Sequence, residues 1–262
     1  MRRSVARIGT IALNTFREAV RDRVLYNLIV FTALVVGCSL LVGQVSLAIE
    51  RIVLVNLGLT SISLFGIVIA ILLGIGLVSK EMEKRTLYTV VAARPVRRWE
   101  FILGKWLGLV GTLTVNAAMM SAAFFGALLL LAHHLNRGDL GLVVAIYFIL
   151  LQYVLMTSLA LLFSTFSSPL LSAVFSFCMF IIGSFADDLR GFALMAHGPA
   201  RWVGLGLSYV VPNFASLNVI TQVAHSVPVG GHLVLLETVY VLLYAGAVVS
   251  CAVLVFEHRN MK

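Results

Sequence analysis

Apolar residues run along this chain in long blocks, and the charged residues gather in the short stretches between them. Six blocks are long enough, or nearly so, to cross a hydrocarbon core of about 30 Å, which takes roughly 20 helical residues. They are approximately Val24–Val45, Leu57–Val78, Trp106–Leu131, Leu140–Ser164, Leu170–Ala186 and Leu233–Phe256. Lipid offers no partner to backbone amides and carbonyls, so each block is expected to be helical. The runs are also too continuous for the alternating pattern of barrel strands. The pattern therefore predicts an all-α integral membrane protein, a six-helix bundle forming one domain over residues 1–262. A shorter apolar stretch, Ala200–Val211, lies between Pro199 and Pro212. As a helix it would reach only about 18 Å, and Arg201, Trp202 and Tyr209 suit an interfacial or re-entrant position.

Two polar segments carry their own periodicity. In residues 4–23, Ile8, Ile11, Ala12, Thr15, Phe16, Ala19 and Val20 recur at helical spacing, with Arg7, Asn14, Arg17, Glu18 and Arg21 opposite. An amphipathic helix beside a membrane span is expected to lie as an elbow in the interface. The 79–105 loop begins with good helix formers around Glu81, Glu83, Lys84 and Arg85, followed by apolar Leu87, Val90 and Val91. Ala93-Arg94-Pro95 breaks it, because proline disfavours helix in the residue before it. Arg97, Arg98, Trp99 and Glu100 then lead into the third span. The apolar residues of this loop call for a cover, either lipid headgroups or a soluble partner.

Small residues mark sites of close approach. Gly66, Ala70 and Gly74 form one small-xxx-small ridge and Gly104 and Gly108 another, favouring packing within the chain over a dimer seam. The connection at 187–232 is too long for a plain turn and is expected to carry structure of its own.

Composition agrees with the spans. The chain is 61% hydrophobic and 11% charged, whereas soluble domains are about 25% charged, so a soluble domain and a disordered chain are both excluded. Cys38, Cys178 and Cys251 all lie in apolar runs, which excludes a disulfide scaffold. Val35-Val36-Gly37-Cys38 has the look of a lipobox, but the long region before it, with Glu18 and Asp22, argues against cleavage and the first span is kept. The net charge of +8 is read as orienting the chain rather than binding nucleic acid. Of nineteen basic residues, fifteen fall on the side shared by both termini and the 79–105 loop. The expectation is a multi-pass protein of the cell's inner membrane with both termini cytoplasmic.

Catalytic and coupling chemistry is scarce. Intramembrane ionisable groups, the usual mark of ion coupling, reduce to Glu237 near the outer end of the last span, with Asn116 and Gln152 as the main deep polar groups. There is no G-x-x-x-x-G-K-[ST], G-x-S-x-G or H-E-x-x-H motif. His133, His134, His197, His225 and His232 lie on the outer side without metal-ligand spacing. The chain is therefore expected to be no enzyme and to hold no metal or cofactor, so transport against a gradient would need energy from another subunit.

The run Lys80-Glu81-Met82-Glu83-Lys84-Arg85-Thr86-Leu87, followed by Arg94-Pro95-Val96-Arg97-Arg98 and Leu103-Gly104-Lys105, resembles the permease subunits of type-2 ABC (ATP-binding cassette) exporters. Tyr209-Val210-Val211-Pro212-Asn213-Phe214 is similar to a second feature of that family, and the closest likeness is to permeases of multicopper-enzyme maturation and gliding motility. The resemblance covers essentially the whole chain. It implies a coupling helix at Glu81–Ala92, with Glu81, Glu83, Lys84, Arg85, Thr86, Leu87 and Val90 seated on an ATPase, and Pro95, Arg97, Arg98, Gly104 and Lys105 at the corner and entry. It implies that the elbow, with Phe16, Arg17 and Val20, touches the same ATPase, and it makes Trp202, Tyr209, Pro212 and Asn213 the marked outer residues. Two permease copies would work with two ATPase subunits that hold ATP and Mg, in the bilayer, leaving a periplasmic partner open. The alternatives are an ATP-independent secondary transporter or a membrane scaffold for assembling another enzyme.

Overall fold

A computed structural model describes residues 4, 7–20, 30, 50–83, 98–132 and 140–258, and every described element is a helix, turn or loop. Residues 7–20 form helix α1. It is followed by α2 (Glu50–Glu83), α3 (Arg98–Ala132), α4 (Leu140–Phe166) and α5 (Pro169–Ser184). Then come α6 (Ala186–Met195), α7 (Pro199–Val210), α8 (Ile220–Ala224) and α9 (Gly231–His258). Four helices, α2, α3, α4 and α9, are long and apolar enough to cross a membrane. The pair α5 and α6, bent by 59°, makes a fifth crossing where it counts as one span. The expected first span, Val24–Val45, lies outside the described residues.

Helix α4 is the axis of the bundle, touching α2, α3, α5, α8 and α9. Its most apolar stretch is 67% buried, against 33% for α9, which places α4 inside and α9 at the edge. The ridge on α2 explains how α4 comes so close. A Cβ on Gly66 would collide with the Tyr153 ring, and one on Gly74 would lie 2.7 Å from Ala160 Cβ. Ala70 between them is fully buried. With no hydrophobic drive between helices in lipid, such backbone proximity supplies the packing energy. The ridge is thus an intramolecular seam. Tyr153 Oη, buried by it, donates to the Ile62 carbonyl at 2.5 Å, so the tyrosine brings its own polar partner.

The fifth block differs from the sequence expectation. Leu170–Ala186 reads as one span, but α5 stops at Ser184 after 16 residues, about 24 Å of helix. The cause lies thirty residues downstream. The Gly183 carbonyl accepts from the backbone amides of Phe214 (3.0 Å) and Ala215 (3.3 Å), and the chain turns at Phe185 into α6. Glycine is required there, because a Cβ would run into the Pro212 carbonyl and the Phe214 ring. Helices α6 and α7 then form a hairpin. Gly198, at φ +68°, makes its turn, a left-handed conformation that only glycine adopts without strain, and Pro199 opens α7.

Candidate functional site

Two regions of the molecule hold the residues marked by the sequence, one at each end of the bundle. At the end where α3 begins, α1 lies against α3. Gly104 faces the Ile11 side chain and the Ile8 carbonyl, Gly108 faces Ala12 and Thr15, and Gly111 faces the Phe16 ring. The contacts advance together along both helices, so α1 follows α3 for about two turns. Its burial repeats the sequence period: Thr15 and Ala19 are buried, Phe16 and Val20 half-buried, Leu13, Asn14 and Arg17 exposed. An Arg7–Glu100 ion pair at 3.7 Å closes the junction, with the Glu100 side chain only 1% exposed. Lys105 is equally enclosed, its Nζ 4.5 Å from the Phe101 ring centroid.

The same end is tied across the bundle. Phe101 stacks on Phe256 at 6.3 Å, and Ile102, Leu161, Val249 and Phe256 form a small separate apolar cluster joining α3, α4 and α9. Trp106 Nε1 donates to Ser158 Oγ at 2.9 Å. Of the coupling residues inferred from the sequence, Glu81 and Glu83 fall in the last turn of α2. Lys84, Arg85, Thr86, Leu87, Val90, Pro95 and Arg97 lie outside the described residues, and Arg98 opens α3. The described helices therefore lead into and out of the loop: α2 delivers its start, and α3, braced by α1, takes up its end.

At the opposite end sits the connection around Pro212 and Asn213. Asn213 is its hub. Its backbone amide donates to Tyr240 Oη at 2.8 Å, and its Nδ2 donates to Asp187 Oδ1 at 2.8 Å. Its Oδ1 accepts from the Ser216 amide at 3.0 Å. Ser216 Oγ in turn donates to Glu237 Oε2 at 3.1 Å, and Tyr244 Oη donates to the Val210 carbonyl at 2.8 Å. The loop is thus fastened to α6 on one side and α9 on the other. Glu237, which the sequence places near the outer end of the last span, is bonded to this loop through Ser216.

Beyond Asn213 the chain sinks into the bundle. Phe214 is buried against Phe180, their rings 5.4 Å apart and nearly perpendicular, and Leu217, Val219, Ile220 and Val223 are buried too. Gln152 Nε2 donates to the Leu217 carbonyl at 3.0 Å, while Gln152 Oε1 accepts from Ser63 Oγ at 2.7 Å. Sequence reasoning marked Gln152 as a deep polar group but gave it no partner, and it missed Asp187, Ser63 and Tyr240. No local signal pairs them, since each contact spans more than twenty residues. The outer anchors behave differently: Trp202 is 76% and Tyr209 71% exposed on α7, with the Arg190 guanidinium 5.8 Å from the Tyr209 ring. Among the described residues no three His, Cys, Asp or Glu side chains gather as metal ligands would.

This architecture agrees with a comparison of the chain with protein families. Residues 9–256 match the model described as ABC-2 family transporter protein. No curated protein matches the chain.

Proposed function

Since the chain belongs to the ABC-2 family of transporter proteins, and is thereby a multi-pass membrane permease of an ABC transporter, we propose that it is an exporter subunit driven by two separate ATPase subunits. Two permease copies form the path, and ATP and Mg are held by the ATPases alone. The carrying observation is the family match over nearly the whole chain, joined to a sequence with no nucleotide-binding loop of its own. In this reading the bundle has six spans, with Val24–Val45 as the first, and sits in the inner membrane with both termini cytoplasmic. The basic residues clustered at the termini and the 79–105 loop support that orientation.

The loop from Glu81 to Ala92 is then the coupling helix, and α1 is the elbow. Support for the second role comes from the α1–α3 junction: a push on α1 is delivered to the same helix that receives the coupling loop. ATP binding would work by favouring one arrangement of the bundles through contacts made in that arrangement alone. Kinship with the multicopper-maturation and gliding-motility permeases rests on the 80–105 motif. A proton- or sodium-driven carrier finds less support, because α2 and α4, the most buried helices, carry no charged residue at 52–79 and 140–166. The test is purification of the full chain from its native membrane. An ATP-binding cassette ATPase is expected to co-purify, and Leu87→Asp should release it while leaving membrane insertion intact. Retention of the ATPase by that variant would remove Leu87 from the contact.

A further inference from the structure

Glu100, Gly104 and Gly108 stand four residues apart and share one face of α3. Helix α1 runs along that face in the same direction. Arg7 meets Glu100, Ile11 meets Gly104, Thr15 meets Gly108, and Phe16 meets Gly111. The first three pairs keep one offset along both helices, so α1 and α3 lie in strict register. Sequence reasoning placed Gly104 and Gly108 on a packing ridge but gave Glu100 no part in it.

A glycine ridge of period four fixes how close two helices come, not how far along each other they lie. Sliding α1 by one turn toward the start of α3, about 6 Å, would bring Thr15 onto Gly104, Ala19 onto Gly108 and Val20 onto Gly111. Thr15 and Ala19 are buried already, and neither is bulkier than the Ile11 that Gly104 now accepts. Sliding the other way has no such seat, because Thr15 would meet the fully buried Thr112. Apolar contact is non-directional and does not choose between the observed seat and the first alternative. Glu100 does. In the observed register its enclosed carboxylate faces the Arg7 guanidinium at 3.7 Å. In the slipped one Ile11 would cover it, and Arg7 would have passed beyond the start of α3. An enclosed charge stripped of its partner is strongly unfavourable, and specifying a register is the best-attested use of such a pair.

We propose that Glu100 is a positioning residue: acting through Arg7, it sets the register of α1 on α3, and with it the place where the elbow meets the ATPase. The second half rests on the permease reading; the first rests on the joint alone. The glycines supply closeness and the ion pair supplies position, so each does what the other cannot. Slipped by one turn, Phe16, Arg17 and Val20 arrive about 6 Å nearer the entry of α3. That is farther than a side-chain contact with a partner tolerates.

The test reads the register by disulfide cross-linking of the full chain in lipid nanodiscs, with Cys38→Ser, Cys178→Ser and Cys251→Ser and copper phenanthroline as oxidant. Phe16→Cys with Gly111→Cys reports the observed register, since a Cβ at Gly111 stands 3.6 Å from the Phe16 ring, an ordinary contact. Val20→Cys with Gly111→Cys reports the slipped one. Trypsin cuts between the paired positions, so a cross-linked chain keeps both fragments together until it is reduced. Glu100→Gln should lower the first link and raise the second by about fivefold each, and Arg7→Gln should shift both the same way by about threefold. Arg7→Lys, which keeps the charge, should leave both within about twofold. Two results overturn the proposal: both links unchanged in Glu100→Gln and Arg7→Gln, or loss of the first with no gain in the second, the mark of a joint that merely loosens. The cross-links need no ATPase, so a chain that captures none would sink the permease reading and leave the register result standing. Where the ATPase is captured, Glu100→Gln should slow ATP hydrolysis about threefold. A slipped chain that hydrolyses at the full rate would remove the pair from coupling.

Discussion

The two ends of the bundle are fastened by different physics. Where α1 meets α3, the fit is steric: Gly104 and Gly108 leave no room for a Cβ, and backbone lies on backbone. At the far end the fastening is a set of side-chain hydrogen bonds around Asn213 and Gln152. A steric joint transmits displacement, because close-packed helices cannot slide by fractions of an ångström without collision. Hydrogen bonds to an irregular segment can be exchanged one at a time.

The contrast can be broken from the steric side first. Gly66→Leu, placed against the Tyr153 ring, should have the largest effect, destabilising by about 3 kcal/mol or preventing assembly. Thermal unfolding in detergent would show it as a lowered Tm. Gly108→Val should cost about 2 kcal/mol by forcing α1 off α3. Faster tryptic cleavage at Arg17, with the remaining spans still protected, is the expected sign. Asn213→Ala removes two side-chain hydrogen bonds at the far end and should cost about 1–2 kcal/mol. If it destabilised more than Gly66→Leu, the assignment of steric and polar roles would be reversed. Trp106→Phe loses the bond to Ser158 and some ring packing and should cost about 1 kcal/mol, read as a small shift in Tm.

The same contrast explains what could be read from the sequence. The steric contacts were legible because their rule is local: Gly66, Ala70 and Gly74 share a face at spacing four on the α2–α4 seam, as do Gly104 and Gly108 at the α1–α3 junction, and the period of Ile8 to Val20 marks a buried stripe. What those faces touch was not legible, since nothing near Gly66 names Tyr153. The end of α5 was misplaced for a similar reason. Residues 170–186 carry no charge to mark an end, and the bonds that stop the helix at Ser184 come from Phe214 and Ala215. Pro212 and Asn213 stood out as a motif, but their work depends on Asp187, Glu237 and Tyr240, which arrive from helices on either side.

Burial adds a second contrast, between α4 and the pair α5 and α9. Helix α5 buries only Ser172, Ser176 and Gly183, and exposes Leu170, Val174, Phe177 and Ile181. Such a helix is inside out by the standards of a soluble core and in keeping with an apolar solvent, since the large side chains face outward while the hydroxyls of Ser172 and Ser184 bond to backbone carbonyls. Ser172 Oγ, for example, lies 2.9 Å from the Ser168 carbonyl.

The most direct measurement of the whole account is ATP hydrolysis by the complex captured on the full chain from its native membrane. The account predicts vanadate-sensitive hydrolysis that travels with the chain and is lost from the captured material when Leu87→Asp is introduced. A chain that is captured intact, carries no ATPase, and still drives accumulation in liposomes under an ion gradient alone would contradict it.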